Sequence, residues 1–413
     1  MFAAIQRLTG VSRHDQGPVL LMGLGHGGTH WIAGTFYLLL PFIVRDLGLS
    51  YAQAGAMVSL FHASSMAANL GSGATVDLSG RRVLWQVVAL LIGSFALLAF
   101  AFAGRYLILS LLVVLIGGSN NLWHPAAIAF LSQRYPSSRG YALSVHALGG
   151  NAGDTLAPLA VGALLLAMSW HGTAAVSAIP VIALAALIAI VLLPKDTVAL
   201  DHAHRAMGFS GYLAGLKPLL RDKAVLGVCL MSGFRSMAQN GLLMFLPLYL
   251  SNQLRVGPLL MGVALMAMQL GGLLASPVAG TLSDRIGRKP VVFSGITATT
   301  LLIVGLTFVR SDAIFVVAVS VLGFALFAVR PVIHSWVMDL TPGHLAGTAT
   351  SLLFGVQSAL SVLVPAVGGV IADTWGLPAV FYLLAATMLV ANVLVYLLSY
   401  NETAAARVTE SGD

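Results

Sequence analysis

Twelve apolar runs, each long enough to cross a bilayer as a helix, fill most of this 413-residue chain, at about 18–44, 51–76, 83–103, 107–133, 140–168, 173–193, 224–251, 258–282, 290–309, 313–338, 346–372 and 377–399. A spanning helix needs about 20 mostly apolar residues. In hydrocarbon every backbone N–H and C=O must be satisfied within the protein, which leaves helices or closed barrels. Barrel strands would appear as segments of about 10 residues with alternating polarity, and nothing here alternates. Charged residues make up only 8% of the chain, against about 25% in soluble domains, so it lacks the polar surface needed to face water.

The basic residues then act as orientation signals. Cytoplasmic loops collect Lys and Arg. With both termini cytoplasmic, fifteen of the 21 fall on the inner side, only Arg45, Arg105, Arg255 and Arg310 fall outside, and Arg235 and Arg330 lie within spans. The net charge of +7 is scattered between apolar runs, so it marks topology and not a nucleic-acid partner. The sole cysteine, Cys229, excludes an internal disulfide and reads as a small buried hydrophobe. The longest polar stretch divides the chain. The expected organisation is a tail over 1–17, a six-helix bundle over 18–193, a cytoplasmic linker over 194–222, a second six-helix bundle over 223–400, and a tail over 401–413.

The two halves repeat. Gly73-Ala-Thr-Val-Asp77-Leu-Ser-Gly80-Arg81-Arg82 reappears as Gly280-Thr-Leu-Ser-Asp284-Arg-Ile-Gly287-Arg288-Lys289, at an offset of 207 residues. The same offset carries Gly55 onto Gly262, Gly140 onto Gly347 and Pro158 onto Pro365. Parallel six-helix repeats are the build of secondary transporters that expose a central site alternately to each side.

The doubled loop motif resembles the signature of the major facilitator superfamily, and the resemblance covers residues 18–400. It implies an all-α membrane fold of twelve helices in two pseudo-symmetric bundles. It also implies a gating role for Asp77, Arg81, Arg82, Asp284, Arg288 and Lys289. A narrower set of residues is similar to the fosmidomycin-resistance subfamily: His26, the run Gly117-Gly-Ser-Asn-Asn-Leu-Trp-His124-Pro125, and Leu143-Ser-Val-His-Ala-Leu-Gly149-Gly150-Asn151-Ala-Gly153. That resemblance implies a proton-coupled exporter of drugs or small anionic compounds. The chain departs from it at His30, where members often carry an acid, and places an acid at Asp154 instead. Pro158 with Gly153 and Gly162, and Pro365 with Gly368 and Gly369, match part of an antiporter-type pattern and equally suit close helix packing.

Three charges sit deep in apolar runs: Asp154, Arg235 and Arg330. A charge near the bilayer centre costs at least about 2.5–3.5 kcal/mol, so each is a functional candidate. A forked, permanently charged guanidinium suits phosphonate, phosphate or carboxylate. Arg235 and Arg330, with Gln239 and His334 one turn further along their helices, form the candidate substrate site. His30, Tyr37, Asn121 and Gln357 complete it. Asp154, His26 and His146 form the candidate proton-coupling group, since both side-chain types can exchange protons. Two other readings stay open. An arginine could pair permanently with Asp154, and the histidines could be structural or, by the i,i+4 spacing of His26 and His30, metal ligands. No acidic or cysteine ligand accompanies that pair in sequence, so no metal site is assigned.

The function read from these residues is a monomeric, multi-pass transporter of the cell (inner) membrane. It would be a proton-coupled antiporter exporting a small anionic or zwitterionic organic compound or drug by alternating access. The expected partners are that substrate, protons and lipid, with no cofactor and no nucleic acid. Proton-coupled uptake of an organic anion would use the same residues, and a metal or metal-chelate transporter would use the histidines. A membrane-embedded enzyme is the reading from another class. It is disfavoured because no His-Glu-x-x-His motif and no Ser-His-Asp set is present, and ATP-driven transport because no phosphate-binding Gly-x-x-x-x-Gly-Lys-Ser/Thr loop occurs.

Overall fold

A computed structural model describes residues 6, 10–196, 216–342 and 345–398. Among these, twelve long helices follow one another: α1 (Arg13–Asp46), α2 (Tyr51–Ser79), α3 (Arg82–Ala99), α4 (Tyr106–Arg134), α5 (Arg139–Leu164), α6 (Trp170–Leu192), α7 (Lys223–Asn252), α8 (Pro258–Ile286), α9 (Arg288–Leu306), α10 (Asp312–Asp339), α11 (Ala346–Trp375) and α12 (Leu377–Leu397). Nine are long and apolar enough to cross a membrane. The other three are α2, α5 and α7, whose mean hydropathy is lowered by polar side chains such as His62, Ser64 and Ser65; His146, Asn151 and Asp154; Arg235, Gln239 and Asn240. Large apolar side chains such as Leu107 (73% exposed), Ile190 (73%) and Phe308 (70%) project outward, as they do where lipid and not water is the solvent.

Local chemistry sets the helix ends. Ser169 caps α6 by accepting from Gly172 N, and Asp222 caps α7 by accepting from Ala224 N and Val225 N. The glycines of the doubled motif have a backbone reason: Gly80 (φ 65°) and Gly287 (φ 94°) turn the chain through the left-handed region between consecutive helices.

The chain divides into two compact units. The first comprises Met1–Leu49, Leu60–His204 and Arg255–Met266; the second comprises Ser50–Ser59, Arg205–Leu254 and Ala267–Asp413. Most of the 194–222 linker, part of the 1–17 tail and all of the 401–413 tail lie outside the described residues.

In the first unit α1 and α5 cross backbone to backbone. A Cβ built on Gly149 would sit 1.8 Å from the Gly23 carbonyl oxygen, and one on Gly153 would sit 2.3 Å from that of Gly27. The same unit holds the start of α8 against α5, where a Cβ on Gly262 would lie 2.3 Å from Pro158 O. The repeat reproduces that crossing in the second unit, where a Cβ on Gly55 would lie 2.1 Å from Pro365 O. There the backbone N–H groups of Tyr51 and Ala52 donate to the two oxygens of Asp373, both at 2.8 Å. The α8 counterpart begins with Pro258, which has no N–H to donate.

Candidate functional site

The first unit gathers histidines from three helices. His26 and His30 stand one turn apart on α1, His124 comes from α4, and His146 and Asp154 come from α5. The close α1–α5 crossing lets the rings interleave: His26 stacks on His146 with centroids 3.9 Å apart and planes 9° from parallel. A Cβ on Gly150 would come within 2.6 Å of the His26 ring, so the glycine supplies the space that ring occupies.

Hydrogen bonding assigns the ring protons. A carbonyl only accepts, so His26 Nδ1–H donates to His146 O at 2.7 Å, and His124 Nδ1–H donates to Asn120 O at 3.0 Å. His30 Nδ1 lies 2.9 Å from Asp154 Oδ1 and donates to that carboxylate. The indole N–H of Trp123 donates to His146 Nε2 at 3.1 Å. The Nε2 atoms of His30 and His124 each approach His26 Nε2 at 3.1 Å.

Among the described residues Asp154 pairs with His30, because α5 lies directly on α1. The His26–His30 pair does have an acidic neighbour, since helix packing brings in Asp154 from more than a hundred residues away. Tyr37 is 5% exposed, and its hydroxyl lies 3.2 Å from His62 Nε2 and within coulombic reach of Asp154. Asn121 donates to Ser65 O at 3.2 Å, an interhelical tie. Trp123 and the Asn120 carbonyl are members that the sequence reading missed. Trp123 was visible only as the residue before His124.

The second unit holds the two arginines. Arg235 on α7 is 2% exposed, and its Nη2 donates to Leu326 O of α10 at 2.6 Å. Its Nε is buried without a partner among the described residues, as is His334 Nε2. Arg330 is exposed, and both it and His334, one turn further along α10, lie within coulombic reach of Arg235. Neither arginine makes an ion pair among the described residues. Gln357 donates to Ser232 Oγ at 2.6 Å, His334 meets Phe354 edge to face at 5.2 Å, and Gln239 is half-buried. Two cations and an imidazole thus gather with no ion-paired counter-charge among the described residues.

The doubled loops behave unequally. Arg288 pairs with Asp284 and, at 2.9 Å, with Asp339, tying the ends of α8, α9 and α10 together. Lys289 donates to Tyr396 O at 3.0 Å. In the first copy Arg82 donates to Gln133 and Arg81 is exposed, while the Asp77 side chain lies outside the described residues.

The profile of the Major Facilitator Superfamily matches residues 22–268 and 228–412. The chain belongs to the major facilitator superfamily. It is therefore a transporter of small molecules and not an enzyme, a multi-pass protein of the inner membrane. This facilitator is 24% identical over 382 residues to the fosmidomycin resistance protein of Escherichia coli (strain K12), covering 91% of each chain. It is 24% identical over 412 residues to the multidrug efflux pump Tap of Mycolicibacterium fortuitum, covering 93% of this chain and 96% of that one. Among solved structures, a mutant of the nucleoside transporter NupG superposes with a TM-score of 0.79 at 14% identity, over 92% of this chain and 99% of that one. A bacterial homologue of the human lysosomal transporter Spinster gives 0.71 at 15% identity, over 94% and 96%. These likenesses are to the fold.

Proposed function

We propose that this facilitator exports a small organic anion in exchange for protons, and that the anion binds at Arg235, Arg330 and His334. The observation that carries the reading is Arg235: a guanidinium 2% exposed, held by one carbonyl, with a buried Nε that has no partner among the described residues. A buried charge without a partner costs several kcal/mol, roughly, unless something of opposite sign arrives. An incoming carboxylate or phosphonate supplies two acceptor oxygens to the fork. The relatives named for fosmidomycin resistance and multidrug efflux support the outward direction.

The test is flux in vesicles containing the purified protein, with fosmidomycin and simple carboxylates as probes. An imposed pH gradient should drive saturable anion movement that collapses when a protonophore is added. Movement indifferent to the gradient would overturn the exchange, and no anion movement at all would overturn the substrate class.

The loop ties of Arg288 belong to the same reading, as a gate that must break and re-form in each cycle. Both pairs are partly exposed, and such pairs contribute about 0.2–1 kcal/mol. Arg288→Gln should therefore leave the thermal midpoint of the solubilised protein nearly unchanged while slowing flux several-fold. Wild-type flux in that variant would remove the gate from the account.

A further inference from the structure

The three Nε2 atoms at the α1–α4–α5 junction present a problem that a proton does not solve. Each Nδ1–H is committed to an oxygen: His26 to His146 O, His124 to Asn120 O, and His30 to Asp154. A neutral imidazole carries one ring proton, so in that state all three Nε2 atoms carry a lone pair. Two of the contacts, His26 with His30 and His26 with His124, bring those lone pairs to 3.1 Å. One shared proton relieves one contact and leaves the other, because His26 Nε2 has a single lone pair to offer. A metal ion placed among the three accepts every lone pair at once.

We propose that His26, His30 and His124 bind a divalent transition-metal ion of the Zn2+ class through their Nε2 atoms. One ring nitrogen from each of the three lies within 4.8 Å of the others. Neighbouring nitrogens on a tetrahedral zinc are about 3.3 Å apart, given Zn–N bonds of about 2.0–2.1 Å. The two observed separations of 3.1 Å fall close to that figure. The outer pair, His30 and His124, closes on the ion by rotation of the half-buried His30 ring, whose side chain is 25% exposed.

The surroundings are those of a metal site. A ligating histidine generally donates its second N–H to a carboxylate or carbonyl, which fixes the tautomer and raises ligand basicity. Here all three do so, and for His30 the acceptor is the carboxylate of Asp154, which also places one negative charge beside the cation. His146 is a positioning residue: its Nε2 is taken by Trp123, its carbonyl orients His26, and its ring backs the His26 ring at 3.9 Å. His26 and His30 stand on α1, which the Gly149 and Gly153 crossings lock against α5, and Gly25 of α1 packs on the Trp123 ring beside His124, so little ordering remains to be done on binding. Three imidazoles without a thiolate suit Zn2+, Co2+ or Ni2+ and not Mg2+ or Ca2+, and the fourth position is left to water or an anion.

The experiment is metal binding by the full-length protein, purified in detergent and stripped with chelator, then titrated with Zn2+ in a metal buffer and with Co2+ followed by its visible d–d bands. The expected result is one equivalent per chain, tetrahedral-type Co2+ absorption, and no displacement by Mg2+. His30→Gln and His124→Gln should each weaken binding by about 100-fold or more, and Asp154→Asn, which keeps all three ligands, by about 10–100-fold. His62→Gln, at a ring that meets Tyr37 and Phe61 and none of the three ligands, should bind as the parent does. The reading is overturned by substoichiometric binding to the parent protein. It is equally overturned by unchanged affinity in the His30 and His124 variants, or by octahedral Co2+ spectra that ignore the substitutions. Asp154→Asn provides a folded test where a ligand variant fails to purify, because a site elsewhere would not register it.

Discussion

Arg235→Gln is expected to weaken binding of an anionic substrate by roughly 30-fold to a few thousand-fold, while leaving the substrate-free protein as stable as before or more so. The two halves of that result have one cause. Removing a buried charge that meets its partner only in the complex costs about 2–5 kcal/mol of affinity. With no anion bound, the guanidinium is a desolvated cation near a second arginine, supported by one carbonyl at 2.6 Å. Replacing such a charge with a neutral group is often neutral or stabilising. Arg330 is exposed where Arg235 is buried, so Arg330→Gln should cost less, about tenfold or less, in line with partly screened charges. Thermal shift with and without ligand reads both quantities on one sample. A variant that loses stability without ligand would show Arg235 to be a strut of the fold, and unchanged ligand affinity would remove it from the site.

The second large effect is steric. Gly149→Val should destabilise the protein by more than about 3 kcal/mol, beyond the usual 1–3 kcal/mol of an overpacked core. The atom in the way at 1.8 Å is the Gly23 backbone carbonyl, which cannot rotate aside as a side chain can. Relief requires α1 and α5 to separate, and that separation also moves His26 away from His146 and His30 away from Asp154. Gly140→Ala, on the same helix with open space at its Cβ, is the matched control. Equal thermal midpoints for the two variants would show that the crossing yields readily.

Much of this architecture was legible before the fold was seen. Runs of twenty apolar residues and a repeat at a fixed offset are local signals, and they gave the helices and the family. The three deep charges were legible for the same reason, since a charge in an apolar run needs no partner to be noticed. Their partners were not. Asp154 meets His30 across 124 positions of sequence, and Asn120 contributes a backbone carbonyl, which no side-chain pattern reveals. Tyr37 shows the limit of helical spacing as a guide. It shares a face with the α1 histidines, yet seven residues from His30 its hydroxyl lies beside His62 of α2. Asp339 was missed because its role depends on where α10 ends relative to Arg288.

The repeated crossings have a consequence for how far duplication has kept the halves alike. Gly55 against Pro365 and Gly262 against Pro158 have nearly the same shape, and a methyl group is forbidden at either. Their electrostatics have diverged. Parting α2 from α11 strips two backbone donors of a carboxylate, whereas parting α8 from α5 exposes no such donor at Pro258, whose ring replaced it. High salt weakens the first crossing and has no equivalent target among the described residues at the start of α8. Ancestry preserved a pair of matching crossings, one held by charge and the other by contour.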